Sequence, residues 1–191
     1  MIGKGKSISH GVAALEYDLA KEINGQAVAT EIARHELYGC TGAEMVQEMK
    51  PYHIDFPNVK NNCLRFEVSP SIEESATFTD ADWAELGNDF MQRMGLANHQ
   101  YIIIRHSGTE SKKEQAHLHI LANRVSLSGE LYRDNWIGKK ATEAANAIAK
   151  ERNFVQSQDI GKVNKAEIKE AMDGVLKKMQ GFDFTKFKEE L

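Results

Sequence analysis

The run Gln100-Tyr101-Ile102-Ile103-Ile104-Arg105-His106 limits the fold more than any other stretch of this chain. It is rich in β-branched residues and apolar at successive positions, so it reads as a central strand covered on both faces. Such a strand needs a layer on each side. A second β-compatible run, His117–Val125, follows the ten-residue connection Ser107–Ala116. Its alternation puts Leu118 and Ile120 on one face and His117 and His119 on the other. A short third strand at Glu130–Arg133, after the Ser128-Gly129 turn, would complete an antiparallel meander.

The remaining elements supply the covering layers. Ile8, Val12, Leu15, Leu19 and Ile23 recur at steps of three to four, which predicts a first helix with Ser9 as its N-cap. Ala27–His35 is β-compatible, Ala43–Lys50 is a short helix stopped by Pro51, and Asn62–Val68 alternates as a strand ending at Ser69-Pro70. Thr79-Asp80-Ala81-Asp82 caps a helix running to Met94, with Gly95 as its stop. Trp136–Arg152 is alanine-rich and helical, and Lys165–Met179 is a charged amphipathic helix broken at Gly181. Strands and helices interleave without a repeat, which predicts an α+β domain: a central antiparallel β-sheet with flanking helices and a peripheral C-terminal helix. Residues 1–160 are expected to form the domain, and 161–191 a helical extension or the start of a further region.

Composition sets the outer bounds. A chain of 191 residues that is 41% apolar and 27% charged has enough material for one core and is not disordered in character. Its two cysteines, Cys40 and Cys63, lack C-x-x-C spacing, so reduced, buried thiols are expected rather than a disulfide scaffold or thiolate zinc site. No stretch approaches the ~18 apolar residues of a membrane span and none reads as a signal peptide, so the expectation is a soluble, cytoplasmic protein. The net charge of −4 is no general nucleic-acid signal, so a DNA partner would need locally clustered cations.

Three of the seven histidines fall in one hairpin. An antiparallel return brings His106 beside His117 and His119 on a single sheet face. Three converging imidazoles make an open metal site, with positions left for water or a substrate oxygen. Imidazole alone does not choose the ion. The alternative is three solvent-facing side chains on one sheet face. His10, His35, His53 and His99 carry no spacing signal and read as caps or surface residues.

The pattern His106 … His117-Leu118-His119-Ile120, after an Ile-rich strand, resembles the H-hydrophobe-H motif of HUH endonucleases, specifically the mobilization relaxases of plasmids and transposons with MobA-like relaxase domains. Similar order covers roughly residues 1–153. A Gly/Lys/Ser-rich strand, Gly3-Lys4-Gly5-Lys6-Ser7, leads to a helix with Leu15-Glu16-Tyr17, and Phe66-Glu67-Val68-Ser69-Pro70 ends a strand in Ser-Pro. One departure is plain. These relaxases commonly have an aspartate two positions after the first histidine, whereas this chain reads His106-Ser107-Gly108 followed by an inserted Thr109–Ala116. Glu110 and Glu67 are the candidates to replace it.

The resemblance implies an HUH-type fold and a site- and strand-specific DNA endonuclease that nicks single-stranded DNA at a transfer origin. It implies a covalent 5′-phosphotyrosine intermediate, later rejoining, and a role in conjugative mobilization. The cofactor implied is a divalent metal ion on His106, His117 and His119, Mg or Mn, with Zn or Ni as alternatives. Tyr17 is the implied nucleophile; it lies about 200° around the helix from Leu15, off the apolar stripe. Tyr101 reads as core packing, and Tyr38, Tyr52 and Tyr132 are weaker rivals. DNA contacts are expected from Lys4 and Lys6 and from Arg105, Arg124, Arg133, Lys139 and Lys140, because segment 123–152 carries six basic against four acidic residues. Trp136 is a candidate for stacking a base. Accessory origin-binding proteins and a coupling protein are implied partners. A replication-initiator or transposase-type HUH nuclease, or a noncatalytic metal- or DNA-binding module, are the other readings.

Overall fold

The computed structural model describes residues 1–108, 115–178, 181, 183–185 and 188. In chain order the elements are β1 (Ile2–Ile8), α1 (Gly11–Leu19), β2 (Glu22–Ile23), β3 (Gln26–Ala27), β4 (Ala29–His35), α2 (Gly42–Met49), β5 (Cys63–Ser69), α3 (Ile72–Ser75), α4 (Asp80–Arg93), β6 (His99–His106), β7 (His117–Ser126), α5 (Ile137–Glu151) and α6 (Ser157–Lys178). Five strands form one sheet in the order β1-β5-β7-β6-β4, with every pair antiparallel. β2 and β3 make a separate two-stranded ribbon. Among the described residues no helix is long and apolar enough to cross a membrane.

Alternation along the strands produces two apolar faces, each roofed by two helices. Leu64, Phe66 and Val68 of β5, Ile103 of β6, and Leu118 and Ile120 of β7 pack under α4 and α5, meeting Trp83, Leu86, Phe90, Ala141, Ala145 and Ile148. On the other face Cys63, Ile102, Ile104 and Leu121 meet Ala14 and Leu15 of α1 and Met45, Val46 and Met49 of α2. Both cores are nearly dry, with most of these side chains at most 2% exposed. Capping boxes start the helices where the sequence supplies them: Thr41 with Glu44, Ser71 with Glu74, and Thr79 with Asp82.

Several expectations change. The first helix begins at Gly11, not near Ile8, which ends β1; Ser9 is not its cap, and the preceding residue, His10, makes no capping side-chain bond. The buried stripe of α1 is Gly11, Ala14, Leu15 and Asp18, while Val12 is exposed. The central strand is β7, with β6 one place nearer the edge. Glu130–Arg133 forms no strand, since only Leu131 bridges back to Val125. Cys40 is exposed, whereas Cys63 is buried as expected, its thiol pushed up to about 11 by burial.

His99 is not a surface residue either, and His53 is half-buried. His99 is buried and donates from Nδ1 to the Asn123 carbonyl, and His53 Nε2 lies 2.7 Å from Asn123 Oδ1, so both belong to a polar knot under α2. Asn123 also donates to Gln100 Oε1 and accepts from the Val125 amide, which leaves the knot well satisfied.

Candidate active site at the histidine hairpin

The register between β6 and β7 pairs His106 directly with His117, and His119 lies two residues further along the same face. Ring centroids are 4.4–5.4 Å apart, and one nitrogen from each ring lies within 4.8 Å of the others. The hairpin thus brings together the three residues expected to converge. They lie under a roof, with His106 2% and His117 6% exposed, rather than on an open surface.

The roof is the last turn of α1. His106 Nε2 donates to the backbone carbonyl of Asp18 at 2.7 Å, leaving the ring's lone pair on Nδ1. His117 Nδ1 donates to the Gln115 carbonyl at 3.1 Å, leaving Nε2 inward. His117 Nε2 and His119 Nε2 are 3.1 Å apart. Two nitrogens bound at about 2.0–2.1 Å to one ion would be roughly 2.9–3.4 Å apart for right-angle to tetrahedral geometry, so the spacing fits shared coordination.

Burial is the main cause that pushes His119 down to about 2, and burial also lowers His106. Both rings are neutral at physiological pH and carry lone pairs. This donor set fits a divalent cation.

One buried acid does stand beside the cluster, on α1. Asp18 is 1% exposed, and Arg65 of β5 grips its carboxylate with Nε at 3.0 Å and Nη2 at 2.5 Å. Its Oδ1 lies 3.7 Å from His119 Nδ1. Burial raises the Asp18 carboxyl, and Arg65 pulls it back down. Spacing alone missed this residue because it sits 88 positions before His106. The only trace was an acidic residue at a helix position that i, i+3, i+4 and i+7 steps from Gly11 assign to the buried side. Of the two acids expected there, Glu67 is cross-strand to His119 and pairs with Lys4 at 3.1 Å, while Glu110 lies outside the described residues, as does most of the Thr109–Ala116 insertion.

Tyr17 is the residue before Asp18. It is 56% exposed, and Lys21 Nζ donates to its Oη at 2.6 Å while sitting 4.8 Å from the ring centroid. Next to the cluster a groove of about 190 Å³ is lined by Lys4, Lys6, Arg65, Glu67 and His119.

The other expected cations lie elsewhere. Arg105, the neighbour of His106 on β6, holds the carboxylate of Asp80. Arg124 is clamped by Asp134, the Tyr132 carbonyl and the Asn61 carbonyl. Arg124 is five residues beyond His119 on β7, about 16 Å at the ~3.3 Å rise of a strand. Lys139 pairs with Glu143, and Lys140 covers the Tyr132 ring and donates to the Arg133 carbonyl. Trp136 stands 80% exposed beside them with φ 58°, a left-handed conformation unusual for a bulky residue. Tyr101 is core, its hydroxyl bonded to Asn88.

A family model for relaxases, the MobA/VirD2-like nuclease domain, matches residues 17–154, well over half of the chain. This protein belongs to that relaxase family. The match includes Tyr17, Asp18, Arg65 and all three histidines. Among solved structures, the relaxase domain is similar to the conjugative relaxase TrwC, determined in complex with oriT DNA in a metal-bound structure. The two share 11% identity over 99% of this chain and 89% of that one, with a TM-score of 0.47. No curated protein matches the chain.

Proposed function

We propose that this relaxase domain nicks one strand of single-stranded transfer-origin DNA through a covalent 5′-phosphotyrosine on Tyr17, with a divalent cation held by His106, His117 and His119. The observation that carries the reading is the junction at the end of α1. Asp18, whose backbone carbonyl accepts from His106 and whose carboxylate lies beside His119, directly follows the exposed Tyr17, so chain adjacency brings the candidate nucleophile to the turn that roofs the three imidazoles. When bound, a divalent ion, Mg or Mn with Zn or Ni as alternatives, supplies positive charge to the nonbridging oxygens of the scissile phosphate.

The chain's own residues do the remaining work. Tyr17 Oη attacks phosphorus in line, the P–O3′ bond breaks, the phenolic proton passes to solvent, and the 3′ oxygen takes a proton to leave as a hydroxyl. One phosphodiester replaces another, so the step reverses without an energy source. Lys21 gives Oη a cationic hydrogen-bond donor at the atom where charge changes. Lys4 and Lys6 present two cations in the groove beside His119, spaced to follow a strand backbone. Arg105, Arg124, Arg133, Lys139 and Lys140, with Trp136, are assigned to more distant parts of the same DNA. Residues 1–160 are assigned to the nuclease unit and 161–191 to its extension, a division that falls inside α6 (Ser157–Lys178), and accessory origin-binding proteins and a coupling protein act on the same DNA.

The test is a detergent-resistant adduct on single-stranded origin oligonucleotides with Mg²⁺ or Mn²⁺. Wild type should form it, while Tyr17→Phe and chelator-treated protein should not. An adduct that survives Tyr17→Phe moves the nucleophile elsewhere. Metal and DNA binding with no adduct from any oligonucleotide would favour a noncatalytic binding module.

A further inference from the structure

The hydrogen bonds around His119 fix where its proton sits. Arg65 Nη2 points at His119 Nδ1 from 3.3 Å, and a guanidinium has donors only, so Nδ1 is the acceptor and Nε2 carries the hydrogen. That hydrogen faces His117 Nε2, whose lone pair is free because His117 Nδ1 donates to Gln115. A directional chain results, from Arg65 through His119 and His117 to a backbone carbonyl. Every member is satisfied.

A metal ligand at His119 Nε2 needs a lone pair there, so the proton must sit on Nδ1 instead. Nδ1–H against Arg65 Nη2 sets donor against donor. The acceptor available on that side is Asp18 Oδ1 at 3.7 Å, which Arg65 Nη2 occupies.

Resting on the reading that the three histidines hold a cation, we propose that Arg65 and Asp18 are opposed positioning residues for His119. Arg65 holds the tautomer that is closed to metal, and Asp18 holds the one that is open. Taking up a cation then requires Arg65 Nη2 to give up His119, while its Nε remains on Asp18 Oδ2 and its freed end opens onto the groove of Lys4 and Lys6. The exchange is proton-neutral: Nε2 loses one hydrogen to solvent and Nδ1 gains one.

Histidine ¹⁵N NMR on the full chain reads this directly. Metal-free wild type should show His119 protonated on Nε2, and saturation with Zn²⁺ should move the proton to Nδ1. Chelator competition gives the second readout. Asp18→Asn should weaken Zn²⁺ binding by about 10–100-fold, the usual worth of a group that orients a ligating imidazole. Arg65→Lys keeps a cation opposite Asp18 but loses the fork that reaches His119, and should tighten Zn²⁺ by roughly tenfold, about one charge-assisted hydrogen bond. A merely structural Arg65 would not favour the metal-bound state when replaced.

His119 already protonated on Nδ1 in metal-free wild type overturns the proposal. So does unchanged or weaker Zn²⁺ binding in a folded Arg65→Lys protein. Wild type that takes up no cation overturns both the proposal and the metal reading, whereas cation uptake without these responses overturns the proposal alone. Should Arg65→Lys fail to fold, the wild-type tautomer decides.

Discussion

Replacing Gly3 by alanine should loosen the sheet edge that carries the groove lysines. Gly3 lies in β1 directly beneath α5, and a Cβ there would sit 2.5 Å from the Ala141 carbonyl oxygen and 2.6 Å from Ala145 Cβ. One obstruction is backbone and the other is the first side-chain atom of a helix, so no change of rotamer relieves either. Thr142 Oγ1 donates to the Gly3 carbonyl at 3.1 Å and ties the helix down at the same place. The helix must therefore back away as a body. It brings Ile137, Ala141, Ala145, Ile148 and Ala149 into the core, and the move draws each of them partly out of it.

Overpacking of this kind costs about 1–3 kcal/mol, and the upper half applies because the crowding atoms are anchored. Removing a glycine from the unfolded chain returns roughly 0.4–1 kcal/mol. The net loss is about 1–2.5 kcal/mol, or a fall in Tm of roughly 2–10 °C for a domain of this size. Urea unfolding followed by circular dichroism measures it, with an unchanged slope showing that the native surface is intact. Adding Ala145→Gly should recover only part of the loss, since the Ala141 carbonyl stays in place. Gly3→Ala as stable as wild type would refute the close approach of β1 and α5.

The groove and the buried histidine knot give two more expectations. Lys4→Gln with Lys6→Gln should flatten the salt dependence of binding to a short oligonucleotide spanning the nick by roughly 0.7 in log–log slope for each phosphate no longer neutralised. Arg133→Gln with Lys139→Gln should change the slope only for longer oligonucleotides; an equal effect on the short one would place those cations beside the nick. Burial holds His99 below its ordinary value against the opposing bond to Asn123. Below about pH 6.5 the unfolded chain then binds a proton that the folded chain refuses, so stability is full above that pH and falls as pH drops through it toward the lower folded value. His99→Gln should reduce the loss of urea midpoint between pH 7.5 and 5.5, and equal losses in both proteins would remove His99 from the acid response.

Local rules carried much of the architecture. The β-branched run of β6, the alternation of β7 and the Thr79 cap of α4 are short-range signals, and each element formed close to its expected bounds. The errors fall where an element's role depends on a distant neighbour. Ile8 continues the helical spacing of Leu15 and Leu19, yet it pairs with Cys63 in the sheet, because all seven residues of β1 are in antiparallel register with β5. Glu130–Arg133 has strand character but adds one bridge to β7, and beyond it Arg124 holds the Tyr132 carbonyl and Asp134 with its side chain. For the site, period two was enough to bring three histidines together, because their convergence is a property of one hairpin. Asp18 and Arg65 were not legible: their partners are set by how α1 lies across β5 and β7, and no spacing in one segment encodes that.

The same strands hold both the core and the site, and the transition between them follows the length of α1. Along the face that α1 covers, β6 reads Ile102, Ile104, His106, and β7, running the other way, reads Leu121, His119, His117. The apolar members lie under Ala14 and Leu15, and the histidines lie under the final turn, where Asp18 replaces an aliphatic side chain with a carboxylate. A longer helix would bury the imidazoles under more apolar surface, and a shorter one would leave them wet and their lone pairs open to solvent protons. Ending at Leu19, α1 shields the imidazoles while leaving Tyr17 exposed. Gly11 sets that placement from the far end, since a Cβ there would meet Cys63 Sγ at 2.6 Å. The helix is thus held down at its start by the absence of a side chain and at its end by the grip of Arg65 on Asp18, and these two contacts fix where the tyrosine stands relative to the histidines.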